Sequence, residues 1–231
     1  MLTQKPVKLS NYTVYPFEIP SINLDFNIGK NEVIVQSSMM IEPKSKESSK
    51  LILKGKQIKL LSISIDGREL EPKEYILSDY ELVINSPPKY QFELKIKSRL
   101  DPFNNSSLEG LYVSSGMLTT QCEAEGFRSI CYHPDRPDVL SKYIVRIEAD
   151  ENEYPILLSN GNKKYSGKLE KSRNRHEIIW EDPFPKPCYL FALVAGNLSL
   201  VSDKYITNKD RSIDIKIYVE SGDEIYTKHA I

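Results

Sequence analysis

The segment Ile22-Asn23-Leu24-Asp25-Phe26-Asn27-Ile28 places a large apolar side chain at every second position, with Asn or Asp between. Side chains alternate across a strand, so this spacing predicts an extended segment with one face in a core and the other in water. Gly29-Lys30-Asn31 predicts a turn after it, and the run from Val33 to Ile41 a second strand, the two forming a hairpin. The same period recurs along the chain. Leu61, Ile63 and Ile65 alternate with serines before an Asp66-Gly67 turn. Further strands are predicted over 75–77, 81–84, 92–96, 143–149, 156–159, 176–180, 189–195 and 213–219. Turn residues separate them at Ser86-Pro87-Pro88, Asn160-Gly161-Asn162 and Asp182-Pro183. Many short strands at close spacing predict an all-β chain, an antiparallel β-sandwich or saddle with very little helix.

Helix is expected in two places. Asp135-Arg136-Pro137-Asp138, followed by Val139-Leu140, predicts one short helix with Pro137 in its first turn. Ser221-Gly222-Asp223-Glu224 has capping-box spacing ahead of Ile225 and Tyr226 and predicts a second. The chain stops about two turns later, which is short for a stable helix and is expected of a cut inside a longer polypeptide. The stretch 44–50 (KSKESSK) is expected to be a solvated hairpin loop, and the proline-rich 182–187 a rigid connector.

Composition bounds the function. The chain has 231 residues, 40% apolar and 27% charged, enough to bury a core without metal or disulfide staples. Lys+Arg 31 against Asp+Glu 32 leaves a net charge of -1, which gives no global pull towards nucleic acid or an anionic membrane. The first residues lack the apolar core of an export signal, and no long apolar run follows, so a cytoplasmic, non-membrane protein is expected. Cys122, Cys131 and Cys188 are odd in number with no C-x-x-C pair, as reduced thiols would be.

No complete catalytic motif is present. His176-Glu177-Ile178-Ile179 opens like the zinc motif H-E-x-x-H, but Trp180 stands where the second histidine is needed. Cys131 and His133, with Cys122 earlier, offer at most two ligands from one strand face, so no metal site is expected. A G-x-S-x-G elbow and a glycine-rich phosphate loop are both missing. The segment 119–125 is different. Its alternation sets Gln121, Glu123 and Glu125 on one face and the small Thr120, Cys122 and Ala124 on the other. An exposed sheet face is one account of this set. A site that holds a cation between its carboxylates is the other.

The chain here resembles the M1 zinc aminopeptidases, in particular the bacterial aminopeptidase N subgroup. The resemblance is carried by Gly110-Leu111-Tyr112, Thr120-Gln121-Cys122-Glu123-Ala124-Glu125-Gly126-Phe127-Arg128 and Asp135-Arg136-Pro137-Asp138-Val139-Leu140. It continues through Tyr154 to Asn162 and Asp182 to Gly196, about half the chain in all. It implies an N-terminal β-domain over 1–195, followed over 196–231 by the first strands and a truncated first helix of a thermolysin-like catalytic domain. Zinc, its H-E-x-x-H motif and the hydrolysis of peptides with a free N-terminus would then belong to the downstream domain, the partner of this one. The fragment alone is expected to hold no metal, to supply no catalytic residue and to be inactive.

By the same resemblance Glu123 would grip the substrate's α-ammonium, and Gln121 would contact the substrate near its first residue. An α-amino group with pKa near 8 is largely charged at neutral pH, and a charge-assisted bond to it is worth roughly 1.5–3 kcal/mol. Glu125, Arg128 and Asp135 are expected to support the site, with Arg128 and Asp135 paired across a turn. Cys131-Tyr132-His133-Pro134 departs from the subgroup's pattern and leaves His133 without a role. The alternative is a non-catalytic β-sandwich interaction module. A carbohydrate-binding sandwich would want aromatic residues clustered on one exposed face, and the 14 tyrosines and one tryptophan show no such clustering.

Overall fold

The computed structural model describes residues 8–45, 49–169, 172 and 174–231. In chain order its strands begin with β1 (Phe17–Ile28), β2 (Val33–Pro43), β3 (Leu51–Lys54), β4 (Lys59–Ile65), β5 (Arg68–Glu69) and β6 (Tyr75–Leu77). Next come β7 (Glu81–Ile84), β8 (Phe92–Leu100), β9 (Gly110–Ser114), β10 (Met117–Gln121) and β11 (Leu140–Asp150). The last are β12 (Ile156–Ser159), β13 (Asn162–Lys168), β14 (Arg175–Pro187), β15 (Leu193–Gly196), β16 (Ser199–Ile206) and β17 (Ser212–Val219).

The alternation in β1 is the spine of the fold. Ile22, Leu24, Phe26 and Ile28 are at most 2% exposed, while Asn23 and Asn27 lie in solvent. Gly29 N–H donates to the Glu32 carbonyl at 2.9 Å and closes the hairpin to β2. The other edge of β1 pairs with β11 in parallel, the exception among the otherwise antiparallel pairings of the described strands. Parallel neighbours need a long crossover, and the whole segment from β2 to β10 supplies it.

These strands build a sheet of order β13-β14-β11-β1-β2-β8-β4-β5. Smaller sheets follow the orders β12-β15-β10-β9, β3-β7-β6 and β16-β17. One core joins the first three. Leu24, Phe26, Val35 and Ile147 of the long sheet share it with Leu53 and Leu82 of β3 and β7, and with Leu111, Leu118 and Leu193 of β9, β10 and β15. The exposed edge strand β13 carries Lys163, Lys164 and Lys168, charges that discourage pairing with another chain.

Several local expectations are corrected. Helix among the described residues is limited to short 3-10 stretches. None forms at 135–140: Asp135 has a φ of +52°, its side chain serves other donors, and Leu140 already opens β11. At the chain end a 3-10 stretch, Glu224–His229, replaces the capped helix. There Glu224 Oε2 accepts from Gly222 N–H at 2.8 Å, and no side chain caps the start. The 182–187 stretch is the end of β14, not a connector; a register shift against Ser141 and Tyr143 absorbs its prolines. The strand expected over 189–195 begins only at Leu193, because Phe191 N–H returns to the Cys188 carbonyl at 3.0 Å and closes a 3-10 turn. Leu61 is 41% exposed, since a bulge in β4 between Leu60 and Ser62 turns it outward. Of the loop expected over 44–50, residues 46–48 lie outside the described residues.

Candidate functional site

Strand β10 pairs with β9 as far as Gln121 opposite Gly110, and with β15 through Leu118 and Thr119. Thr120 ties the same edge down: its Oγ1 accepts from Leu193 N–H at 2.8 Å. Beyond Gln121 the chain leaves the sheet. The Glu123–Ala124 peptide is cis, and Gly126 N–H donates to the Cys122 carbonyl at 2.9 Å to close a turn. The alternation expected over 119–125 therefore stops at Cys122. Glu123, Ala124 and Glu125 all lie on the exposed turn, and Ala124 does not pack on the core.

The turn is held at both ends. Gln121 Nε2 donates to the Glu123 carbonyl at 2.9 Å, so its amide staples the turn while its oxygen stays available as an acceptor. On the other side Phe127 sits at 0% exposure, edge-on to His133, Tyr143 and Phe191 with ring centroids 5.1, 6.3 and 5.4 Å away. Gly126 has no room for a side chain, since a Cβ there would lie 2.2 Å from the Gln121 carbonyl oxygen.

Three carboxylates lie around this turn, and Arg128 pairs with two of them. Its Nε donates to Asp135 Oδ2 at 2.6 Å, and its Nη1 lies 3.2 Å from Glu125 Oε2. The Arg128 backbone N–H also donates to Asp135 Oδ2, at 3.2 Å. Asp135 is completely covered, whereas Glu125 is 69% exposed. The Glu123 carboxylate is exposed and, among the described residues, meets no cation or hydrogen-bond donor. The structure thus brings Gln121, Glu123, Glu125, Arg128 and Asp135 into one loop and leaves one free negative charge at its surface.

His133, without a role in the sequence, is a structural pin. Its backbone exchanges hydrogen bonds with Lys54 of β3, at 2.8 and 3.2 Å, and its Nδ1 accepts from Asp135 N–H at 3.0 Å. Burial pushes its pKa down to about 3, so the ring is neutral. A gathering of thiols about Asp135 was not legible in the sequence. Cys188 Sγ donates to Asp135 Oδ1 at 3.2 Å, and all three cysteines are buried and unbridged. Burial, with Asp135 adding to it, raises the thiol pKa values, to about 12 for Cys122.

The described residues do not offer a zinc site. No group of three or more His, Cys, Asp and Glu gathers in metal-holding geometry among the described residues. His176 Nε2 is engaged by the Tyr154 carbonyl at 2.8 Å on strand β14.

Comparison with known proteins agrees with the fold. The model of the peptidase M1 N-terminal domain matches residues 11–190. The chain is 44% identical to the aminopeptidase N of Caulobacter vibrioides over 99% of its own length and 26% of that protein. It is 40% identical to the Escherichia coli aminopeptidase N over 96% of its length and 25% of that protein. It superposes on Legionella pneumophila aminopeptidase A, solved in complex with aspartic acid, with a TM-score of 0.90 and 33% identity, over 97% of this chain and 26% of that one. The M1 zinc metallopeptidase of Deinococcus radiodurans shares the fold at a TM-score of 0.72 and 12% identity, over 90% of this chain and 48% of that one. The chain spans about a quarter of the length of the curated relatives it matches. It belongs to the peptidase M1 family, as an N-terminal domain of the aminopeptidase N type.

Proposed function

We propose that this domain supplies the amine anchor of a cytoplasmic zinc aminopeptidase, with Glu123 as the carboxylate that receives a peptide's α-ammonium. The observation that carries the proposal is the unpaired Glu123 charge, exposed on a turn where Arg128 already pairs with both neighbouring carboxylates. An ammonium has three donors and no acceptor, so it needs convergent oxygens. Glu123 offers two, and the Gln121 amide oxygen stands at the base of the same turn. Fixing the amine sets how far along the peptide the reacting bond lies, and that restricts cleavage to the first residue. Zinc and the hydrolytic groups belong, in this proposal, to the catalytic domain that residues 196–231 begin, with the β16–β17 hairpin as its first strands.

In the full-length enzyme, Glu123→Ala is expected to lower kcat/KM on an unblocked aminoacyl substrate at least about tenfold. An unchanged kcat/KM rejects the anchor. The chain as it stands is expected to show no turnover of chromogenic amino-acid amides with zinc added, and measurable turnover would overturn the division of labour.

A further inference from the structure

Asp135 uses both carboxylate oxygens. Oδ2 receives the backbone N–H and Nε of Arg128, and Oδ1 receives the thiol of Cys188. Cys188 enters from a different part of the chain, the 3-10 turn Cys188–Leu190 after β14, 53 residues from Asp135. It is 1% exposed, and among the described residues it alone of the three cysteines bonds to Asp135. Burial and the adjacent carboxylate hold the thiol protonated, so it remains a donor. A carboxylate fixed at both oxygens has its plane set, and so does the guanidinium bonded to it. Arg128 lies two residues past Gly126, whose N–H closes the Glu123 turn.

We infer that Cys188 is a positioning residue for Glu123, acting through Asp135 and Arg128 to hold the amine-binding turn in place. The inference rests on the amine-anchor proposal and extends it to a side chain that touches no substrate. Without the S–H donor, Asp135 Oδ1 is left unsatisfied in a closed site, and the carboxylate is free to rotate away from Arg128. Serine keeps a donor at this position. Valine fills the space without one.

The test uses the full-length enzyme and two competitive inhibitors, an amino-acid hydroxamate and its des-amino counterpart. Cys188→Val and Cys188→Ala are expected to raise the inhibition constant of the amine-bearing compound about 3- to 10-fold and to leave the des-amino compound within about twofold. Cys188→Ser is expected to stay near the parent enzyme for both. Equal weakening of both compounds, no change in either, or serine behaving like valine would each overturn the inference. If Cys188→Ala fails to fold, valine against serine decides. Glu123→Gln run alongside separates the two proposals. If it leaves the ratio of the two constants intact, the anchor itself is wrong; if it collapses the ratio while Cys188→Val does not move it, only the role of Cys188 falls.

Discussion

Arg128 Nε and Asp135 Oδ2 lie 2.6 Å apart where an exposed turn meets a closed core, the aspartate fully covered and the arginine one-fifth exposed. The pair couples the position of the Glu123 turn to the interior of the domain. Removing one partner of such a pair strands the other charge. Arg128→Ala is therefore expected to destabilise the domain by about 3–5 kcal/mol in urea unfolding. A loss below about 1 kcal/mol would show that Asp135 finds another partner or leaves the core.

His133 predicts a pH dependence of stability. Its folded pKa, pushed by burial to about 3, lies below the ordinary 6.5, so the unfolded chain binds its proton first as pH falls. The contribution is complete above about pH 6.5 and drains as pH falls towards the folded value, at up to about 1.4 kcal/mol per pH unit. His133→Asn, which keeps an acceptor for Asp135 N–H, should flatten the unfolding free energy between about pH 6 and pH 4. An unchanged slope in that window contradicts the buried neutral ring.

Gly126 tests the turn sterically. Its φ of -81° suits any residue, so the obstacle to a side chain is contact: a Cβ would stand 2.2 Å from the Gln121 carbonyl oxygen and 3.0 Å from Gly110 N. Gly126→Ala must push the turn off the end of β10. The expected cost is about 1–3 kcal/mol of stability, with weakened amine recognition in the full-length enzyme. A variant with the parent's melting temperature and kinetics would show that the turn yields freely.

Arg146 is the hub of the solvent face of the long sheet. It donates to Asp25 on β1 at 2.9 Å, Glu148 on β11 at 3.0 Å and Glu177 on β14 at 2.6 Å. Arg146→Met leaves three carboxylates side by side and should cost about 2 kcal/mol at pH 7. Burial alone would raise the Glu148 pKa, but hydrogen bonds from Arg175 and Arg146 outweigh it and hold the carboxyl below its ordinary 4.5. A depressed pKa contributes stability above the unfolded value and loses it as pH falls through the folded one. The deficit of Arg146→Met should accordingly shrink in urea unfolding below about pH 4. A deficit independent of pH would assign the loss to packing.

The strand pattern was legible wherever one face is buried and the other wet. Ile22 to Ile28 could be read directly because every second side chain enters the core. Alternation misled at 119–125, where the sequence keeps its period after the strand has lost its partner: Gly110 is the last residue β9 pairs with β10, opposite Gln121. Asp135-Arg136-Pro137 carries helix-start residues, yet Asp135 spends its side chain on Arg128 and Cys188. A bulge such as that at Leu61 reverses a face without leaving a mark in composition. Alternation singled out the face of Gln121 and Glu123, but their roles came from resemblance, since Gln and Glu are ordinary surface residues. The contact of Cys188 with Asp135 spans 53 residues and has no local signature.

In the proposed anchor the charge of Glu123, and not merely its bulk, holds the amino end of a peptide. Glu123→Gln in the full-length enzyme keeps the shape and removes the charge. The most direct measurement is the ratio of inhibition constants for an amine-bearing inhibitor and its des-amino counterpart. The amine-bearing compound is expected to weaken about 10- to 100-fold while the des-amino compound does not move. Equal binding of the amine by the glutamine and glutamate enzymes would contradict it.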